Sequence, residues 1–193
     1  MLNAHSTRAA DTRTRILEAA FGVLSRQGYE NTSIKDIATE AGVAQGLIHY
    51  HYKSKQLLVL AVLEYVCRKM ELGVEGEAGA LAAFAQTKEM LRESRTTNSL
   101  YIQLIGVSLH DPVIGAGVRE FVRGDRLHIE DIARQVLSER GADPKTARGI
   151  AGVVWAAILG IIVQSLVDPE FDTDEAVDTL AVMSLTASYS GGN

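Results

Sequence analysis

Apolar residues recur along this chain at spacings of three and four, and nowhere do they alternate with polar residues over the length of a strand. The helical period first appears over residues 12–27. Ile16, Leu17, Ala20, Phe21 and Leu24 fall on one stripe there, and Gly28 follows as a stop. A second short helix is predicted from Ser33, with Ile34, Ile37 and Ala38 facing inward. Ser33 is a good N-cap, and Asp36 three residues on fits a capping box with a shorter acid. Gly42 suits a left-handed turn, where a side chain would cost about 1 kcal/mol or more. A third helix is predicted over 44–50 and a fourth over 54–72, opened by Ser54. Further helices are predicted over 80–94, 99–109 and 114–140, the sixth stopping before Pro112. An eighth has Pro144 in its first turn and ends near Asp168-Pro169, and a ninth covers 173–189.

The expectation is an all-α chain of nine helices, with a disordered arm over 1–9 and a three-helix DNA-binding domain over 10–70. Its helix-turn-helix falls at about 33–52, and a C-terminal helical domain covers 71–193.

Composition sharpens this picture. At 193 residues and 47% hydrophobic content, a packed core is within reach. The net charge of −5 argues against a nucleic-acid partner until it is divided along the chain. Residues 1–56 hold seven Lys/Arg and five Asp/Glu, whereas residues 57–193 hold twelve and nineteen. A mildly basic head on an acidic body suits contact with DNA at one end only. Cys67 is the single cysteine, so no disulfide forms within the chain and a cytoplasmic setting is expected. Residues 149–167 are apolar enough to span a bilayer, but Gln164 interrupts them, and a buried or interface helix has the same look. A membrane anchor and a small helical enzyme are the rival readings. No clustered acids, bases or metal ligands support the enzyme, so neither a catalytic activity nor a cofactor is expected. His49 and His51 lie two apart on a helix and cannot easily share one metal ion.

Residues 28–57 carry the strongest signal. They include Thr32-Ser33-Ile34-Lys35-Asp36-Ile37-Ala38, then Ala41-Gly42-Val43-Ala44-Gln45-Gly46-Leu47-Ile48-His49-Tyr50-His51-Tyr52-Lys53-Ser54-Lys55-Gln56-Leu57. With Ile16-Leu17-Glu18-Ala19-Ala20 and Gly28 upstream, this resembles the DNA-binding domain of TetR-type (tetracycline-repressor-like) bacterial transcription regulators. The resemblance covers about residues 10–70. A shorter motif over residues 167–176, V-D-P-E-F-D-x-D-E-A, resembles the C-terminal domain of a BetI-like subgroup. The chain departs from the family at Ala44 for serine, His49 for tyrosine and Tyr52 for phenylalanine.

The resemblance implies a ligand-responsive DNA-binding homodimer, a repressor that leaves a palindromic double-stranded operator when a small effector binds. The third helix would lie in the major groove. There Gln45 can pair bidentately with adenine, Gly46 lets the backbone come close, and Tyr50 offers its ring to a thymine methyl. Thr32 and Ser33 would hold a phosphate at the start of the second helix, with Lys35 and Lys55 adding charge. Met70, Phe84, Met90, Tyr101, Leu104, Ile105, Phe121 and Trp155 are candidates for the effector pocket, with Gln103 and Gln164 as polar handles. That mix implies an apolar or amphipathic effector. Ile158, Ile161, Ile162, Val177, Leu180 and Met183 are candidates for the dimer interface.

His49 stands where family tyrosines contact phosphate, and a protonated imidazole donates two hydrogen bonds rather than one. Operator affinity is therefore expected to strengthen as pH falls toward about 6. Titration at fixed salt between about pH 6 and about pH 8 checks this, and a flat profile contradicts it.

Overall fold

The computed structural model describes residues 2–67 and 76–187. Among these residues there are nine α-helices and no strand. They are α1 (Leu2–Asn31), α2 (Ile34–Ala41), α3 (Gln45–Tyr52), α4 (Lys55–Cys67), α5 (Gly76–Glu93), α6 (Arg95–Ser108), α7 (Pro112–Glu139), α8 (Ala147–Val167) and α9 (Thr173–Ala187). A 3-10 turn, Pro144–Thr146, leads into α8. The all-helical expectation holds.

The chain divides into two compact units. The first takes in α1 to α4 together with residues 99–119; the second takes in α5, α8, α9, residues 95–98 and α7 from residue 120. Residues 99–119 lie beyond the expected boundary near residue 70, yet they belong with the first unit. Their apolar positions explain why: Leu100, Leu104, Ile114 and Val118 are buried there.

The start of α1 also differs from expectation. The helix opens at Leu2, ahead of the predicted start at residue 12. Ala4, Ala9 and Ala10 favour helix, and no glycine or proline interrupts the run before Gly22. Further along, Ile16, Leu17, Ala20, Val23 and Leu24 are buried, and α1 is bent at Gly28, whose φ of 77° and ψ of 172° are open only to glycine. The bend turns Tyr29 into the interior.

Short-range hydrogen bonds fix α2 at both ends. The Asp36 amide donates to Ser33 Oγ at 3.2 Å, and the Ser33 amide donates to Asp36 Oδ2 at 3.0 Å. This is the reciprocal capping box read from the sequence. At the far end Gly42 is left-handed, with φ 62° and ψ 40°. The Gly42 amide donates to the Thr39 carbonyl and the Val43 amide to that of Ala38, which closes a Schellman turn. Ile37 and Ile48 are fully enclosed, along with Leu58, Val59, Val62 and Leu63 of α4.

In the second unit α8 packs on α9, burying Ala151, Val154, Ile161 and Ile162 together with Val177, Leu180 and Ala181. Arg95 donates from both Nη atoms, to the carbonyls of Ser165 at 2.8 Å and Leu166 at 2.9 Å. It thereby satisfies carbonyls that the last turn of α8 leaves open. Lys88 pairs with Asp178 at 2.7 Å and Arg92 pairs with Asp174, holding α5 to α9. The long apolar stretch over 149–167 lies inside α8, and part of it is this internal core.

Ser33→Ala removes the side-chain half of the capping box and is expected to cost about 0.5–2 kcal/mol. The denaturation midpoint should fall while the slope stays constant. An unchanged midpoint would show that the box contributes nothing to stability.

Candidate nucleic-acid interface

The eight residues of α3 present two different faces. Ile48 is enclosed, and Tyr52 is buried with its O–H donating to the Arg13 carbonyl of α1 at 3.4 Å. Burial pushes the Tyr52 phenol above its ordinary value, so it stays a neutral donor. These two residues anchor the helix. The opposite face is open, with Gln45, Gly46, His49 and Tyr50 all exposed, Tyr50 at 71%. Gln45 with His49, and Gly46 with Tyr50, stand four apart and therefore share that face. A side chain added at Gly46 would meet nothing nearby, which leaves the backbone free for close approach by a partner. Ala44 makes no side-chain cap, as its departure from serine led us to expect.

The corner after α3 is tight. Lys53 has a φ of 60°, the one positive φ outside glycine among the described residues. The Ser54 amide donates to the Tyr52 carbonyl across it at 2.6 Å, a rare and strained γ-turn. Its ammonium lies 5.5 Å from the Tyr50 ring centroid. Sequence reasoning passed over Lys53; its place in the basic turn was the available signal.

The phosphate candidates fare unequally. Thr32 is 3% exposed and its hydroxyl donates to the Gly28 carbonyl at 2.6 Å. It straps the bend of α1, and the expectation that this hydroxyl meets a phosphate is corrected. Ser33 is exposed, but its hydroxyl donates to Asp36 Oδ2 at 2.6 Å. The Ser33 hydrogen bonds hold the Asp36 carboxyl below its usual range, so a negative charge already sits at the start of α2. Lys35 is exposed. Lys55 is half-buried, with Nζ 4.2 Å from the Tyr29 ring centroid. Burial lowers its pKa, an effect the nearby Glu30 charge opposes.

The eight pocket candidates are not brought together in one unit. Tyr101, Leu104 and Ile105 belong to the first, and Phe84, Met90, Phe121 and Trp155 to the second. Leu104 is fully enclosed there, and Met70 lies outside the described residues. Gln103 and Gln164, expected as polar handles, are both exposed, and Gln103 donates to Ser99 Oγ at 3.3 Å. Among the candidates Trp155 meets Asp125, whose Oδ2 accepts from Trp155 Nε1 at 3.4 Å. Burial raises the Asp125 carboxyl, and the Trp155 hydrogen bond and nearby His128 only partly offset this. No sequence spacing marked Asp125, because the contact joins α7 to α8. A separate open groove of about 560 Å³ along α9 is lined by four acids, Thr179, Val182 and Met183, and includes no pocket candidate.

Four of the six interface candidates are buried within the chain itself. Ile161, Ile162, Val177 and Leu180 are buried in the second unit, where α9 packs on both α5 and α8. Ile158 is half-buried and Met183 is 63% exposed. The apolar surface left open on these helices is Val153, Val163, Val167, Val182 and Met183.

The family model described as "Bacterial regulatory proteins, tetR family" matches residues 16–62, from the first buried residues of α1 into α4. The chain is 27% identical over 168 residues to the HTH-type transcriptional regulator CymR of Pseudomonas putida, covering 82% of this chain and 81% of that one. Its fold is similar to that of GusR of Salmonella enterica, with a TM-score of 0.74, 17% identity, and coverage of 93% of this chain and 96% of that one. It is also similar to SmeT in a complex with triclosan, with a TM-score of 0.69, 21% identity, and coverage of 92% and 91%.

A carboxyl raised by burial contributes stability that is full below the unfolded value and lost as pH rises through the folded one. Asp125→Asn keeps an acceptor for Trp155 and removes the charge. It should raise Tm at about pH 8 and leave it nearly unchanged at about pH 3.5. An equal change at both would contradict the role given to burial.

Proposed function

The chain belongs to the tetR family of bacterial regulatory proteins, and from that premise we propose that it is a repressor that binds a palindromic operator as a homodimer and releases it when a small effector binds. One observation carries the proposal: α3 is pinned by Ile48 and Tyr52 and turns Gln45, Gly46, His49 and Tyr50 outward. That arrangement serves a helix that enters the major groove, whose edges distinguish all four base pairs. Gln45 reads an adenine, Tyr50 meets a thymine methyl or a phosphate, and His49 donates to a phosphate. Lys35 and Lys55 neutralise phosphates on either side.

A two-fold dimer sets two copies of α3 in successive major grooves, about 34–36 Å apart. The apolar residues left open on α8 and α9 support a helical dimer face, with Val153, Val163, Val167, Val182 and Met183 as its residues. The effector is an apolar or amphipathic small molecule bound in the second unit, where Phe84, Met90, Phe121 and Trp155 supply apolar walls. It acts by binding more tightly to the state whose α3 copies no longer match the groove spacing. SmeT, which has a similar fold, is seen in complex with the small molecule triclosan.

Gln45→Ala should weaken operator binding by about 1–3 kcal/mol and relax preference at one base pair per half-site. Lys55→Ala should weaken all duplexes alike and flatten the salt dependence by about one phosphate. Binding measured across a panel of single-base operator variants at several salt concentrations separates the two. The same pattern from both variants would contradict the assigned roles.

A further inference from the structure

Residues 109–111 join α6 to α7, and Asp111 gathers contacts from three helices of the first unit. Its Oδ1 accepts from the amides of Val113 at 2.8 Å and Ile114 at 3.0 Å, capping α7. Its Oδ2 accepts from Gln56 Nε2 at 3.4 Å, in the first turn of α4. The Tyr29 hydroxyl, from the end of α1, lies against the same carboxylate. The Ile114 and Val113 amides, with Gln56 and the nearby Tyr29 hydroxyl, hold the Asp111 carboxyl below its usual range, so it is ionised at neutral pH.

Both partners lead to Lys55. Gln56 is its chain neighbour, and the Tyr29 ring carries its ammonium at 4.2 Å. The seat has little slack, because a side chain on Gly117, five residues into α7, would collide with Leu60 of α4. The glycine pair Gly115-x-Gly117, with no strand before it, is thus a packing device: a side chain on Gly115 would press on the Ser108 carbonyl in the same way.

We propose that Asp111 is a positioning residue for DNA binding: it holds the Tyr29 ring and the first turn of α4 so that Lys55 is presented to a phosphate. The proposal rests on the reading of α3 as the DNA-contacting helix and adds a residue that no groove contact would reveal. Asp111 is negatively charged and, by charge alone, would oppose DNA. Its removal should nevertheless weaken binding, because an ammonium fixed on a ring loses less freedom on meeting a phosphate than one on a mobile side chain.

The test uses the full chain and a duplex recovered from a random pool by selection with the wild-type protein. Asp111→Asn removes the charge, and Tyr29→Phe keeps the ring and removes only the hydroxyl. Both should weaken binding by about 3–10-fold and reduce the logarithmic salt slope by about one. In a Lys55→Ala background the same changes should alter affinity by less than about 2-fold, since the ammonium they position is gone. A fold defect would instead lower affinity by the same factor in both backgrounds, and that result overturns the proposal. Wild-type affinity and slope in both Asp111→Asn and Tyr29→Phe overturn it as well, while leaving the regulator reading intact provided that Lys55→Ala weakens binding. If the wild-type chain selects no duplex at all, both readings fall.

Discussion

The enclosure of Ile48 and Tyr52 is the constraint on which the rest of this molecule depends. A helix of eight residues has little stability of its own in water. It persists because one face is buried and because its ends are fixed by the Schellman turn before it and the γ-turn after it. Fixing that face leaves no choice about the other. Gln45, Gly46, His49 and Tyr50 must face solvent, and a polar, glycine-containing helical face held rigidly outward is suited to reading the edges of bases.

The same economy governs the surroundings of α3. Thr32 straps the bend at Gly28, the bend buries Tyr29, and the Tyr29 ring seats Lys55. Asp111 then ties that ring and the start of α4 to the start of α7. The proposed DNA contact Lys55 and the buried groups behind it therefore form one connected set. In the second unit α8 and α9 bury Ala151, Val154, Ile161, Ile162, Val177, Leu180 and Ala181, while Val153, Val163, Val167, Val182 and Met183 stay exposed.

Much of this was legible in the sequence, and the limits have physical causes. Local rules sufficed for the helices, for the capping box of Ser33 and Asp36, and for the left-handed Gly42, because each depends on residues a few positions apart. The outward face of α3 was legible from the family pattern. Long-range pairing was not: nothing in the sequence near Lys55 reveals that Tyr29 lies beneath it, and nothing near Trp155 reveals Asp125. The hydroxyl of Thr32 looked free because its acceptor is a backbone carbonyl, which no side-chain pattern records. The apolar stripe of α8 and α9 was legible as buried, but periodicity cannot tell a chain's own core from a surface covered by a second copy. Ile161, Ile162, Val177 and Leu180 fell on the internal side of that distinction.

The most direct test of the central claim is binding of the purified chain to duplexes from its own upstream intergenic region, followed by footprinting as salt and protein concentration vary. The account predicts saturable, sequence-selective binding by a dimer, protecting two half-sites whose centres lie about one helical turn, 34–36 Å, apart or a multiple of that. Purely salt-dependent binding with no preferred sequence, at any concentration, in both that region and a random duplex pool would contradict it.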